Sequence, residues 1–263
     1  MPASITLFGI TVALGFELLV LFAVVFLAGI IRGFAGFGSA MITVPALAML
    51  YGPAQAVVIE VLIEIPISIG LFRATVKDAD KKIVIPMLSM FVLFVPIGAL
   101  FLKVVDAELM KIIISVLVLV MVAIIGLQDR LIIFVSRTGS LVAGATSGIA
   151  QGMTGMSGPI YATVLLARGD SATVTRANIL ALTAGIISIS VVSYIAVGIM
   201  TIETLIYATI ATPSILLGTW VGSVLFKRLS HCNLRIVILI FLAVIAVATL
   251  TQTITDAVGN QGF

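Results

Sequence analysis

The sequence predicts an all-α polytopic membrane protein made of two inverted repeats of five helical segments, and three observations predict it. The first is composition: 62% of the 263 residues are hydrophobic and 10% charged, with a mean hydropathy of +1.35. Soluble domains run near ~45 to 50% apolar and ~25% charged, so this chain has too little polar surface to coat a water-facing globule. The second is a series of ten apolar stretches divided by charges, prolines and glycines. The third is a glycine-rich motif that occurs twice, in the same place within each half. At ~20 residues per span the length allows roughly eight to ten membrane segments and no separate soluble domain. A receptor with a folded ectodomain, a membrane-tethered enzyme and a nucleic-acid binder are disfavoured.

The stretches cover residues 5–31, 38–50, 54–72, 83–102 and 109–127, then 131–150, 157–167, 174–199, 203–226 and 234–252. The first starts without a preceding basic residue, so a cleaved signal peptide is not expected. The second and seventh are too short to cross ~30 Å of hydrocarbon at ~1.5 Å per residue. Each follows a glycine-rich break, which predicts that the first pair of segments in each half forms a glycine-broken or re-entrant hairpin. The breaks read Gly29-x-x-x-Gly33-x-x-Gly36-x-Gly38, with Pro45 downstream, and Gly144-x-x-x-Gly148-x-x-x-Gly152-x-x-Gly155-x-x-Gly158-Pro159. Further on, Gly98 to Lys103 matches Gly222 to Lys227. The repeats are therefore residues 1–128 and 129–263, within a single transmembrane domain.

Loop charges orient the segments. Arg73, Lys77, Lys81, Lys82, Arg130, Arg137, Arg168, Arg176, Lys227, Arg228 and Arg235 are eleven of the fourteen basic residues, and all fall in loops that the positive-inside rule places in the cytoplasm. In the loop after 102, Lys103 and Lys111 are offset by Asp106 and Glu108, and the C-terminal tail has neither Lys nor Arg. These face outward, with a periplasmic C-terminus. The pattern is consistent only if each broken pair returns to its own side, which inverts the second repeat relative to the first. Inverted repeats are typical of secondary transporters, with the substrate near the midplane where broken elements meet.

Backbone without regular hydrogen bonding is tolerated at membrane depth only where it is buried in protein or lines a wet cavity. Two facing breaks present half-helix N-termini, which suit an anion. The candidate substrate-binding residues are Arg32, Gly33, Gly36, Gly38, Ser39, Gln151, Gly152, Thr154, Gly155, Ser157 and Gly158. Arg32 offers a bidentate fork to an anionic head group, and the serines, Thr154 and Gln151 offer neutral donors. The alternative for the glycines, Gly29 and Gly144 above all, is close helix packing. The alternatives for Arg32 are an ion pair with Glu60 or Glu64, or snorkelling to the surface. Glu60 and Glu64 share one helix face. Glu64 lies ~15 Å into its segment, where a carboxyl is a candidate to take up and release a coupling proton; the alternative is a structural partnership with Arg32. Met153 and Met156 read as gap fillers. With one cysteine, Cys232, and one histidine, His231, neither a disulfide nor a thiol–imidazole metal cluster is expected. No phosphate-binding Gly-x-x-x-x-Gly-Lys-Ser/Thr loop is present, so no cofactor is expected and the driving force falls to a gradient.

At Ala28-Gly-Ile-Ile-Arg-Gly33-Phe-Ala-Gly-Phe-Gly38, at Pro45-Ala-Leu, and at Ala143 to Pro159 the chain resembles the TauE/SafE sulfite exporter family, also called the toluene sulfonate uptake permease family. The resemblance extends over nearly the whole chain. It implies a secondary transporter that moves a small sulfur-containing anion, such as sulfite, thiosulfate or an organosulfonate like sulfoacetate, across a bacterial inner membrane. The second break has Gly155-Met-Ser-Gly158 where many members carry a denser glycine pair, a departure that bears on which anion fits. Two rival readings stay open: an intramembrane lipid-phosphate enzyme, which needs a nucleophile beside the carboxylates, and a passive anion channel. The glycine run between Arg32 and Ser39 argues against the first.

Overall fold

The computed structural model describes residues 3–7, 10–14, 16–35, 37–127, 137–228 and 251. Gly36, residues 131–136 of the sixth stretch, the stretch 234–252 apart from Thr251, Arg130, Arg235, His231, Cys232 and the C-terminal tail lie outside them. The chain opens with strands β1 (Ala3–Leu7) and β2 (Ile10–Leu14), paired antiparallel with Ile5 opposite Val12. This corrects the helical reading for 5–7 and 10–14: Ile5, Thr6, Ile10, Thr11 and Val12 are β-branched and favour extended backbone. Nine α-helices follow among the described residues. They are α1 (Phe16–Ala35), α2 (Ala40–Tyr51), α3 (Pro53–Thr75), α4 (Lys81–Val104), α5 (Ala107–Leu127), α6 (Arg137–Thr154), α7 (Gly158–Ala167), α8 (Ala172–Val197) and α9 (Ile202–Arg228).

Among the described residues, five helices are long and apolar enough to cross a membrane: α3, α4, α5, α8 and α9. The protein is therefore a multi-pass membrane protein. Val92, Leu93, Leu100 and Phe101 on α4, Val116 and Val120 on α5, and Leu216, Leu217 and Trp220 on α9 are exposed. So much outward apolar surface suits lipid rather than water. By contrast α2 and α7, at about 18 and 15 Å, cannot span, and most of their side chains, eight of twelve in α2 and six of ten in α7, are buried in protein.

Helices sort their ends into two groups. At one end, the Asp80 N–H before α4 donates to the Asn178 side-chain oxygen on α8 at 2.7 Å, among Lys77, Lys81, Lys82, Arg168 and Arg176. At the other, Lys103 donates to the Val197 carbonyl at 2.7 Å, Gln55 donates to Glu203 at 3.3 Å, and Tyr51 and Tyr207 pack with ring centroids 4.7 Å apart.

Close packing ties α1 to α9 and α6 to α4. A Cβ added at Gly29 would stand 2.7 Å from the Ile215 carbonyl and 3.0 Å from the Gly218 Cα. One at Gly98 would stand 2.8 Å from the Gly152 Cα, and one at Gly152 would meet the Val95 carbonyl. Glycine here permits backbone contact between helices, as small residues do inside bilayers.

Candidate functional site

The two breaks meet. Gly38 and Gly155 adopt φ of 101° and 69°, a region that disfavours any side chain, and there α1 and α6 stop and the chain turns into α2 and α7. The N-terminal ends of both short helices open onto one cavity of about 50 Å³, bounded by Arg32, Gly38, Ser39, Glu60, Glu64, Gln151, Gly155, Ser157, Gly158, Tyr161 and Thr183, with Phe37 and Met41 among the apolar walls. At about 10 to 15 Å³ per water-sized occupant, that is room for a few waters or one small anion.

Each charged group is buried. Arg32 on α1 is 4% exposed, and Glu60 and Glu64 on α3 are 1% and 7% exposed. Glu64 sits about 17 Å along α3, near its middle. Its Oε2 pairs with Arg32 Nη2 at 2.8 Å, and its Oε1 accepts from Ser39 Oγ at 2.6 Å. Glu60, one turn earlier, lies beside the hydroxyls of Ser39 and Thr43, but no hydrogen bond of good geometry reaches its carboxylate among the described residues. The expectation that the glycine run keeps Arg32 apart from Ser39 is corrected: the break folds the chain back so that both contact Glu64.

The opposite wall is neutral. Ser157 Oγ donates to Gln151 Oε1 at 2.6 Å, and the Gln151 and Gly152 carbonyls accept from Tyr194 of α8 at 3.0 and 3.3 Å. Tyr161 contacts Thr183 at 2.7 Å; because the Thr183 hydroxyl donates to the Ile179 carbonyl at 2.8 Å, Tyr161 is the donor.

Serine at the start of a helix ordinarily caps it, and Ser171 does so for α8, accepting from the Val174 N–H. Ser39 and Ser157 occupy the equivalent places on α2 and α7 yet make no capping bond to their own helices. Their hydroxyls are turned to Glu64 and Gln151, the Met41, Ile42 and Ile160 N–H groups donate to the Gly38, Ser39 and Ser157 carbonyls, and Pro159 has no N–H, so what the two helices present to the cavity is chiefly their positive ends.

Of the sequence candidates, the cavity brings together Arg32, Gly38, Ser39, Glu60, Glu64, Gln151, Gly155, Ser157 and Gly158. Gly33, Gly152 and Thr154 lie elsewhere: Gly33 abuts the Thr219 backbone of α9, Gly152 packs on α4, and Thr154 donates to the Ala150 carbonyl within its own helix. Sequence reasoning missed Tyr161 and Thr183, which line the cavity, and Tyr194, which braces it. Tyr161 had a signal, since it stands three residues after Gly158, in the first turn of the half-helix. Thr183 and Tyr194 had none beyond being polar in long apolar segments.

The family model described as Sulfite exporter TauE/SafE matches residues 21–249, most of the chain. No curated protein and no solved structure matches it.

Proposed function

The chain belongs to the TauE/SafE sulfite exporter family, and on that premise we propose that it is a secondary transporter of a small sulfur-containing anion: sulfite, thiosulfate, or an organosulfonate such as sulfoacetate. The observation that carries the reading is the convergence of two half-helix N-termini and the Arg32 guanidinium on one buried cavity of about 50 Å³. The anion's oxygens accept from Arg32 beside the positive end of α2 on one side and from Ser157, Gln151 or Tyr161 on the other, while Glu60 and Glu64 carry the coupling proton. Gly33, Gly36, Gly152 and Thr154 act in this reading through the shape of the breaks.

Alternating access comes from one inverted repeat, 1–128, rocking against the other, 129–263. Its support is the recurring order of long broken helix, short helix and long spans, and the fact that the first helix of each half packs through glycine on a late helix of the other. The end carrying Lys77, Lys81, Lys82, Arg168 and Arg176 faces the cytoplasm by its positive charge, in a bacterial inner membrane with a periplasmic C-terminus.

In proteoliposomes, labelled sulfite, thiosulfate or sulfoacetate should enter saturably and show counterflow. A preference for dicarboxylates with no response to any sulfur oxyanion would defeat the substrate assignment, and linear, non-saturating flux would indicate a channel. Flux indifferent to a pH gradient and unchanged in Glu64→Gln would remove the proton coupling. The contacts of Ser39 and of Arg32 with Glu64 also bring together what a lipid-phosphate hydrolase needs, so release of phosphate from lipid phosphates by the purified protein, abolished in Ser39→Ala, would replace transport with catalysis. Against that stands a cavity too small for a lipid head group.

A further inference from the structure

Resting on the reading of the cavity as an anion site, we infer that Glu64 is a built-in competitor: its carboxylate holds the place of the substrate's anionic head group, and the substrate enters only when Glu64 is neutralised by a proton. The donors that grip Glu64 are those an oxyanion would use. Its two oxygens are held separately, one by a guanidinium at 2.8 Å and the other by a hydroxyl at 2.6 Å, and that hydroxyl belongs to the residue opening the half-helix α2. An arginine, a hydroxyl and a helix N-terminus together are a recurrent anion cradle. In this structure the cradle is filled by the protein's own carboxylate.

A purely structural ion pair would need nothing more. Here a second carboxylate, Glu60, stands one turn away, 1% exposed and without a well-formed hydrogen bond. Two carboxylates face one guanidinium on the cavity wall. While both carboxylates are ionised, an arriving anion would be the third negative charge around a single positive one, inside a region where charges are poorly screened. Taking over Arg32 while Glu64 stays ionised leaves a bare buried carboxylate beside the anion; placing a proton on Glu64 removes the charge and releases its claim on Arg32 in one step.

The groups facing Glu64 are Arg32 from α1, Ser39 from the start of α2, Glu60 from its own helix, Gln151 from α6, Tyr161 from α7 and Thr183 from α8. Arg32 is a fixed cation; of the others only Glu60 and Tyr161 carry an exchangeable acidic proton, and Tyr161 is engaged with Thr183. The proton passes from water to a Glu64 oxygen as the anion binds and returns to water when the anion leaves and Arg32 is regripped, so one proton accompanies each anion.

The test is binding of methanesulfonate, whose sulfonate stays ionised throughout, to purified protein from mildly acidic to mildly alkaline pH. In the wild type, affinity should strengthen as pH falls, approaching about tenfold per pH unit for one linked proton. Glu64→Gln should bind roughly tenfold or more tightly than wild type at alkaline pH, because the competitor is gone, and its affinity should be flat with pH. Weaker binding in Glu64→Gln, or a pH slope that survives in Glu64→Gln but disappears in Glu60→Gln, overturns the inference. If Glu64→Gln does not fold, the wild-type series decides alone: a flat profile overturns it. Binding with the wrong pH dependence defeats this inference and leaves the transport reading standing. Failure of every sulfur oxyanion to bind wild type or variant defeats both.

Discussion

The two breaks share one plan and differ in chemistry. In each, a positive-φ glycine stands between a long helix and a short one, a serine lies between that glycine and the short helix, and the short helix starts with its N-terminus toward the shared cavity. The first break carries all the charge, with Arg32 beside it and Glu60 and Glu64 across from it on α3. The second carries none: Gln151, Ser157, Tyr161 and Thr183 are neutral. The scaffold duplicates the positive helix ends that any anion would feel, while one wall alone carries Arg32, Glu60 and Glu64. On this view the charged wall determines whether the anion binds, and the neutral wall determines which anion fits.

The largest effect should come from breaking the charged wall. Arg32→Ala removes the single guanidinium and strands buried Glu64, 7% exposed. Truncating one partner of such a pair costs about 3 to 5 kcal/mol, so anion binding should fall by about 100-fold or more and the melting temperature in detergent should drop. If Arg32→Ala binds sulfite as well as wild type does, the division between the walls is wrong.

Next come the glycine contacts that the two halves share. Gly152→Ala would push a methyl into the Val95 carbonyl of α4, and Gly29→Ala would push one against the Ile215 carbonyl of α9. Both neighbours are backbone and cannot swing aside, so each change should cost about 1 to 3 kcal/mol. Equal losses of thermal stability in the two variants sharpen the case that the halves are built alike. A loss in one and none in the other breaks it.

These glycines also show how far the chain was legible. Apolar length located the spans well: the stretch 83–102 is α4 within two residues, and the short stretches 38–50 and 157–167 are the half-helices. Period and hydropathy could not see that Ala3–Leu7 and Ile10–Leu14 pair as strands, because β-branched apolar residues read alike in either state over so few positions. Spacing also could not divide glycines that line the cavity from glycines that press helices together. Gly38 and Gly33 belong to one motif, yet they face different neighbours, and only the packing of α9 against α1 separates them. The meeting of Arg32, Ser39 and Glu64 was half visible. Buried charges announce themselves, but which of two glutamates Arg32 takes depends on where α3 lies against α1.

A smaller effect belongs to the neutral wall. Gln151→Ala removes the partner of Ser157 Oγ and one donor to the cavity. A hydrogen bond between neutral groups is worth about 0.5 to 1.5 kcal/mol, so anion affinity should weaken by roughly tenfold at most. Its pH dependence should match the wild type, since no ionisable group has been touched. A Gln151→Ala protein whose affinity titrates differently would place charge control on both walls.

The smallest change is the sharpest test of what the neutral wall does. Tyr161→Phe keeps the ring, which packs 6.2 Å from the buried Phe91 of α4, and removes only the hydroxyl. That hydroxyl donates to Thr183, whose own proton is committed to the Ile179 carbonyl, so Thr183 loses an accepted bond but strands no donor. Leaving a buried acceptor unpaired costs about 1 kcal/mol, and stability should fall only slightly. If the Tyr161 hydroxyl merely braces α7 on α8, every sulfur anion should lose the same few-fold affinity in the variant. If it turns to the substrate when the cavity fills, anions will lose unequally, those with an oxygen that reaches α7 losing most. Unequal losses measured across sulfite, thiosulfate and sulfoacetate would assign selectivity to the uncharged half of the site, where the sequence carries Met156 and Ser157 between its two glycines.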